Sequence, residues 1–421
     1  MGIFSSRGKK SGLLTAGALL AFAALTGCAG AADTAPTTSN GGSGDGANTV
    51  AEKEPIRIGV LLGLTGAYAA LGVPSANAVE LFFEQENANG GINGHPIEWV
   101  LLDSESDETV LVNQFRRLAT ERNVHAVIGP SASGEATALR TFSLEYGLPT
   151  IGLVSSSLAV EPPEEALYMF KQYTGTTESL RAQLTFAQEQ GWERIGLIYA
   201  NNGYGQDPAN RLEDLAAEYG LTVTGMEPFE PTDTDMTAQL GRLGDGNPDA
   251  VLVWAVNPAN AIIANSAEAI GFEPALFNSP GAGSIEYITI GGSAVEGTYL
   301  QGSQVLAFES MDPAGPAYQL TKDLVEKYQA AFGEAAGQYA ANGWDGGILI
   351  KNAIEQAGDL DPSDVQGTRD AIRDALENKT ISIPAVNSTY TFTPEFHGSL
   401  SLEGLAVLVV RNGEFVLVQT Y

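Results

Sequence analysis

From Pro55 onward the chain alternates short aliphatic runs with amphipathic stretches, and this restricts the fold more than any other feature. IRIGVLLGL (56–64) is a near-continuous apolar run, the pattern of a strand covered on both faces. A helix is expected over 70–89, then a Gly/Asn/Pro turn at 90–96 and a second strand, IEWVLLD, at 97–103. Further strands are expected at 125–130, 148–154, 194–200, 222–227, 249–255 and 275–277. Helices fall between them at 108–122, 135–146, 177–190, 206–219, 235–243 and 258–270. Three more helices, at 314–331, 339–357 and 364–377, precede strand-like TYTF, LAVLVV and FVLVQTY. Such alternation gives parallel sheets with helices on both faces, and 421 residues accommodate two of them.

The first 54 residues do not share this pattern. Arg7, Lys9 and Lys10 precede an uncharged apolar run, LLTAGALLAFAAL (13–25). As a helix it would span about 20 Å, too short for a bilayer core of ~30 Å, so it reads as the apolar region of a signal peptide. Leu25-Thr26-Gly27-Cys28 closes it on the only cysteine of the chain. That arrangement resembles a bacterial lipobox, which implies cleavage after residue 27 and a lipidated Cys28 as mature N-terminus. Residues 28–54 then form a tether: AGAADTAPTTSNGGSGDGANTVAEKE (29–54) contains no aromatic, Leu or Ile and has too little apolar surface to order itself. As a flexible coil it reaches roughly 30 Å, enough to hold a domain off a membrane.

Charge and composition exclude several functions. There are 51 acidic residues against 21 Lys and Arg, a formal net charge of -30, which argues against a nucleic-acid binder because phosphate contacts need clustered cations. The acidity suits either the solubility of an exported protein or a high-salt habitat in which self-repulsion is screened. One cysteine and three scattered histidines, His95, His125 and His397, offer no metal-ligand spacing. G-x-S-x-G, G-x-x-x-x-G-K-[ST] and a G-x-G-x-x-G after a strand are all missing, so nothing marks an enzyme or a bound cofactor. Asp103, Glu105 and Asp107 at a strand end read as a solvated turn rather than an acid–base pair.

What remains is a set of small polar residues just after strand ends, the edge at which open parallel sheets bind ligands. GPSASGEA (129–136) opens a helix after a strand, and VSSSLA (154–159) repeats the arrangement after the next one. Hydroxyls and free N–H groups there would suit an anion, or Ser133 would merely cap its own helix.

Six blocks carry a family resemblance: LLGLTGAYAALG (61–72), ENANGGINGHPIEWVLLDSESDE (86–108), VIGPSASGEA (127–136), YANNGYGQD (199–207), PTDTDMTAQLGRL (231–243) and NPDAVLVW (247–254). Together they resemble the extracellular solute-binding proteins of branched-chain amino-acid ABC transporters. The resemblance implies a two-lobed type I periplasmic-binding fold, α/β, each lobe a mainly parallel sheet flanked by helices. Three hinge crossings are expected, near Tyr173, Gly302 and Val386. Lobe 1 would comprise 55–173 and 303–386, and lobe 2 174–302 and 387–421.

The resemblance also implies a site. Ser133 matches the serine that holds the ligand carboxylate, and Ser156 a second hydroxyl, with the Val154 carbonyl as an ammonium acceptor. Tyr204 matches the tyrosine that closes over the ligand from the second lobe. Tyr68 and Leu71 would wall the side-chain pocket. Val256 stands where an aromatic is usual and Pro280 where an acid for the ammonium is usual, leaving Glu286 as another source of that charge. Trp254 and Asn257 are nearby candidates, alternatively a core indole and a helix cap. The expected function is a lipid-anchored, monomeric subunit outside the cytoplasm that passes an aliphatic amino acid to a permease and its ATPase. The alternatives are a binder of a 2-oxo acid, aromatic carboxylate or amide, a ligand-sensing receptor of the same fold, and, from another class, an α/β enzyme.

Overall fold

The computed structural model describes residues 53–378, 380–398 and 404–421. The expected signal peptide (1–27), Cys28 and the tether up to residue 52 lie outside the described residues. Its last two residues already touch the folded part: Lys53 pairs with Asp359 at 3.0 Å, and the Glu54 carbonyl lies 2.7 Å from the His95 ring.

The first sheet contains β1 (Ile56–Leu62), β2 (Ile97–Asp103), β3 (Ala126–Ile128), β4 (Thr150–Gly152) and β5 (Met169–Lys171) in the order β2-β1-β3-β4-β5, all parallel. Helices α1 (Ala69–Ala88), α2 (Glu108–Thr120) and α3 (Ser133–Glu145) connect these strands. Both faces of β1 are buried, as its continuous apolar run requires. One face packs Ile58, Val60 and Leu62 against α1, and the other packs Leu61 and Val127 against Leu111, Phe115 and Leu118 of α2.

The second sheet repeats the plan with β6 (Arg194–Ala200), β7 (Thr222–Phe229), β8 (Ala250–Trp254), β9 (Ala275–Asn278) and β10 (Tyr299–Ser303). Between and before them run α4 (Thr176–Glu189), α5 (Gly203–Glu218), α6 (Thr237–Asp245), α7 (Ala259–Ile270) and α8 (Ile285–Gly291). The chain then returns to the first core with α9 (Tyr318–Phe332), α10 (Gln338–Ala357) and α11 (Val365–Leu376). Helix α10 lies tightly on α1: a Cβ on Gly343 would sit 2.1 Å from the Ser75 carbonyl oxygen, and Trp344 meets Phe82 edge-on at 5.1 Å.

The chain beyond Val386 does not pass straight into the second sheet. A short ladder of β11 (Ile383–Pro384) and β12 (Thr389–Tyr390) stays with the first lobe, where Tyr390 and Phe392 are buried in its core and Gly398 bridges Lys171. Buried Asp345 of α10 fixes this segment by accepting from the Val386 and Asn387 amides (2.8 and 2.9 Å), the Tyr390 hydroxyl (2.9 Å) and Gln172 (3.3 Å). Only then do β13 (Leu405–Arg411) and β14 (Glu414–Thr420) add antiparallel to β10, giving the order β14-β13-β10-β9-β8-β6-β7. Gly404, at φ +87°, passes the Asn387 carbonyl so closely that a Cβ would lie 2.0 Å from its oxygen. The result is a two-lobed α/β molecule in which the carboxyl ends of both parallel sheets meet at one cleft.

Candidate functional site

A cavity of about 60 Å³, reachable by the centre of a water molecule, lies where those strand ends converge. A water needs roughly 10–15 Å³ on this measure, so the space suits a few waters or one small solute. The first lobe contributes Tyr68 and Leu71 after β1, Ser131 to Gly134 after β3, Leu153 to Ser155 after β4, and Gln338, Tyr339 and Asn342 at the start of α10. The second contributes Asn202 and Tyr204 after β6, Val256 after β8, and Pro280 and Gly281 after β9, with Tyr173 at the crossing. Among the described residues, none that lines it carries a charged side chain.

Seven of the residues singled out in the sequence meet here: Ser133, Val154, Tyr204, Tyr68, Leu71, Val256 and Pro280. Ser133 is the first residue of α3, not its cap: Ala132 occupies the cap position and supplies no side-chain bond. The first-turn N–H groups of a helix have no intrahelical acceptor, so this end offers donors to an anion. Beside it the Ser131 hydroxyl is buried and has no hydrogen-bond partner. The Tyr68 loop is braced from below. Asp103 accepts from the Leu64 amide at 2.8 Å, the Thr65 hydroxyl at 2.7 Å and the Glu105 amide at 2.7 Å, while Ser106 accepts from the Tyr68 amide at 2.9 Å. Partial burial alone would raise the Asp103 carboxyl, but these bonds outweigh it and hold it below its ordinary value. The Asp103–Asp107 segment is therefore a loop brace and helix cap rather than only a solvated turn.

Ser156 and Trp254 do not reach the cavity. Ser155 lines the space, whereas the Ser156 side chain caps the short turn that follows, accepting from the Leu158 amide at 3.3 Å. The Ser156 hydroxyl donates to Asp207 of α5 at 2.8 Å, alongside the Ser157 amide (2.9 Å) and Thr176 hydroxyl (2.7 Å). The other Asp207 oxygen accepts from Arg211 at 2.6 Å, and Arg211 also pairs with Glu161 of the first lobe at 2.9 Å. These contacts clasp the lobes just outside the cavity. Trp254 is a core indole that donates to Gln183 at 3.1 Å and backs the Tyr204 ring at 5.5 Å. Asn257 donates to Ser284 at 2.9 Å. Glu286 lines a separate, larger cavity of about 520 Å³. Among the described residues, no acid lines the cavity beside Pro280.

The seam itself is closed by residues the sequence reading missed. Gln338 donates to the Pro280 carbonyl at 2.7 Å and accepts from the Ser303 amide at 3.1 Å, and Tyr339 donates to the Gly281 carbonyl at 2.9 Å. Tyr204 donates to Ser279 at 3.0 Å and accepts from the Gly281 amide at 3.1 Å. Burial pushes the Tyr204 hydroxyl up to about 12 and that of Tyr339 well above its ordinary value, so both stay neutral donors. Gly203 leaves 3.4 Å between its missing Cβ and the Gly134 backbone, which brings the starts of α5 and α3 into contact.

A cleft between two parallel-sheet lobes, lined by strand-end loops and shut by cross-lobe bonds, is the geometry of a solute trap. The family model described as periplasmic binding protein matches residues 55–409. The chain belongs to the periplasmic binding protein family. The family traps small solutes outside the cytoplasm and is not catalytic. Among curated relatives, a Leu/Ile/Val-binding protein homolog 7 of Brucella abortus is 24% identical over 331 residues, 75% of this chain and 81% of that one. Among solved structures, an extracellular ligand-binding receptor of Rhodopseudomonas palustris superposes with a TM-score of 0.81 at 26% identity, over 87% of this chain and all of that one. A leucine-binding protein of Thermotoga maritima shares the fold, with a TM-score of 0.74 at 24% identity over 86% of this chain and 98% of that one.

Proposed function

We propose that the protein is the solute-binding subunit of an ABC importer and that its cleft takes a small carboxylate-bearing solute. One observation carries the ligand class: two serine hydroxyls, Ser131 without a partner and Ser133 at the uncapped start of α3, face a cavity free of charged side chains. Donors of this kind hold an anionic head without a counter-cation. The names of the relatives support an aliphatic amino acid. A second reading, a 2-oxo acid, aromatic carboxylate or amide, is favoured by Pro280, since among the described residues no acidic side chain lines the cavity to pair with an ammonium. Calorimetry with leucine, its 2-oxo analogue, benzoate and a short amide tests both. Binding of a neutral sugar with no carboxylate bound would contradict the proposal.

The same proposal places a lipid on Cys28, with Ser133, Tyr204, Tyr68, Leu71, Val256 and the Val154 carbonyl as the ligand-contacting set and a permease and ATPase as partners. One acyl chain anchors only marginally, so two or more are expected. Cys28→Ser should release the protein into the soluble fraction, and unchanged membrane retention would refute the anchor.

A further inference from the structure

Four tyrosines, Tyr68, Tyr173, Tyr204 and Tyr339, line this small cavity, two of them from the first lobe, one from the second and one at the crossing. Three of the four hydroxyls are already engaged with the protein. Tyr173 donates to Gln338 at 3.3 Å, Tyr204 to Ser279 at 3.0 Å and Tyr339 to the Gly281 carbonyl at 2.9 Å. What these residues offer a ligand is therefore chiefly ring surface. Three backbone carbonyls at the wall already accept one bond each: Val154 from the Tyr173 amide, Pro280 from Gln338 and Gly281 from Tyr339.

From this we infer that the solute is a carboxylate bearing a fully methylated ammonium, its carboxylate at Ser131, Ser133 and the start of α3 and its cationic head against the tyrosine rings. The inference rests on the carboxylate reading above and narrows it. A primary ammonium brings three N–H donors into a space that, among the described residues, is lined by no carboxylate and by three carbonyls each already accepting a bond, and unpaired buried donors are costly. A quaternary ammonium has no N–H to satisfy. Its positive methyl groups are attracted to the negative faces of aromatic rings, and the attraction is strongest where water is excluded.

The test is calorimetry on the full chain with trimethylglycine, leucine and 3,3-dimethylbutanoate, the uncharged-head isostere of trimethylglycine. Trimethylglycine should bind at least about tenfold more tightly than the isostere, the ratio expected of a desolvated cation–ring contact. Tyr204→Leu should reduce that ratio at least about fivefold, whereas Tyr204→Phe, which keeps the ring, should leave it unchanged. A ratio is insensitive to any general loosening of the cleft that either variant causes. Equal binding of the isostere, or tighter binding of leucine, would overturn the methylated-ammonium inference while leaving the carboxylate reading intact. Binding of none of the three would overturn the methylated-ammonium inference, and failure of the 2-oxo analogue and benzoate as well would overturn the carboxylate reading.

Discussion

Ser133 and Asp207 act at the same cleft in different ways. Ser133 presents a hydroxyl to the cavity, and a hydrogen bond to a charged group contributes roughly 1.5–3 kcal/mol, so Ser133→Ala should weaken carboxylate binding about 10- to 100-fold by calorimetry. Unchanged affinity would remove the serine from the site. Asp207 touches no solute but ties Ser156 and Ser157 of one lobe to Thr176 and Arg211 of the other. Asp207→Asn keeps the shape and removes the charge that Arg211 and the hydroxyls converge on. It should cost about 1–3 kcal/mol of the closed form and lower solute affinity about 5- to 150-fold. Affinity equal to that of the parent protein would show that the clasp does not depend on the charge. Of the residues read from the sequence, Ser133 and Tyr204 line the cavity, whereas Ser156 does not and its neighbour Ser155 does. Ser156 caps the turn after β4 and donates to Asp207 of the other lobe, a partner 51 residues away that the local sequence does not show. Gln338 and Tyr339 were invisible for the same reason: they lie more than 50 residues from the Pro280–Gly281 backbone they hold, and only the folded seam brings them there.

Among elements, long apolar runs were legible and short ones were not. β1, β2 and β6 announced themselves because burial on both faces, or flanking turns, leave a continuous signature. β5 is only Met169–Lys171, and what makes it a strand is pairing with β4 and the bridge from Lys171 to Gly398. β10, Tyr299–Ser303, carries Gln301, Gly302 and Ser303, a polar and small stretch without alternation. The late return of the chain, after Gly398 rather than near Val386, depends on Tyr390 and Phe392 finding the first core. Helix α10 shows how glycines inside a helix are explained by packing. Gly343 lies where α1 approaches most closely, with the Ser75 carbonyl oxygen 2.1 Å from its absent Cβ. Overpacking of this kind costs about 1–3 kcal/mol, so Gly343→Ala should lower the thermal midpoint by several degrees in a calorimetric scan. An unchanged midpoint would mean that the α1–α10 contact yields freely.

At the scale of the molecule, 51 acidic residues on 421 make both lobes anion-rich, yet among the described residues none that lines the cavity between them carries a charged side chain. Long-range attraction therefore does not select an anionic solute. Local donors do, and closure must supply them together, because Ser131 and Ser133 belong to one lobe and Tyr204 to the other. A solute that contacts both walls stabilises the shut arrangement by mass action. The seam bonds from Gln338, Tyr339 and Asp207 are formed in the closed molecule and have partners on opposite lobes. The most direct measurement is small-angle scattering on the same sample before and after saturation with a carboxylate that calorimetry has shown to bind. The radius of gyration should fall on binding, and the saturated profile should match the closed two-lobed structure. Identical profiles with and without the solute would contradict closure of this cleft around its ligand.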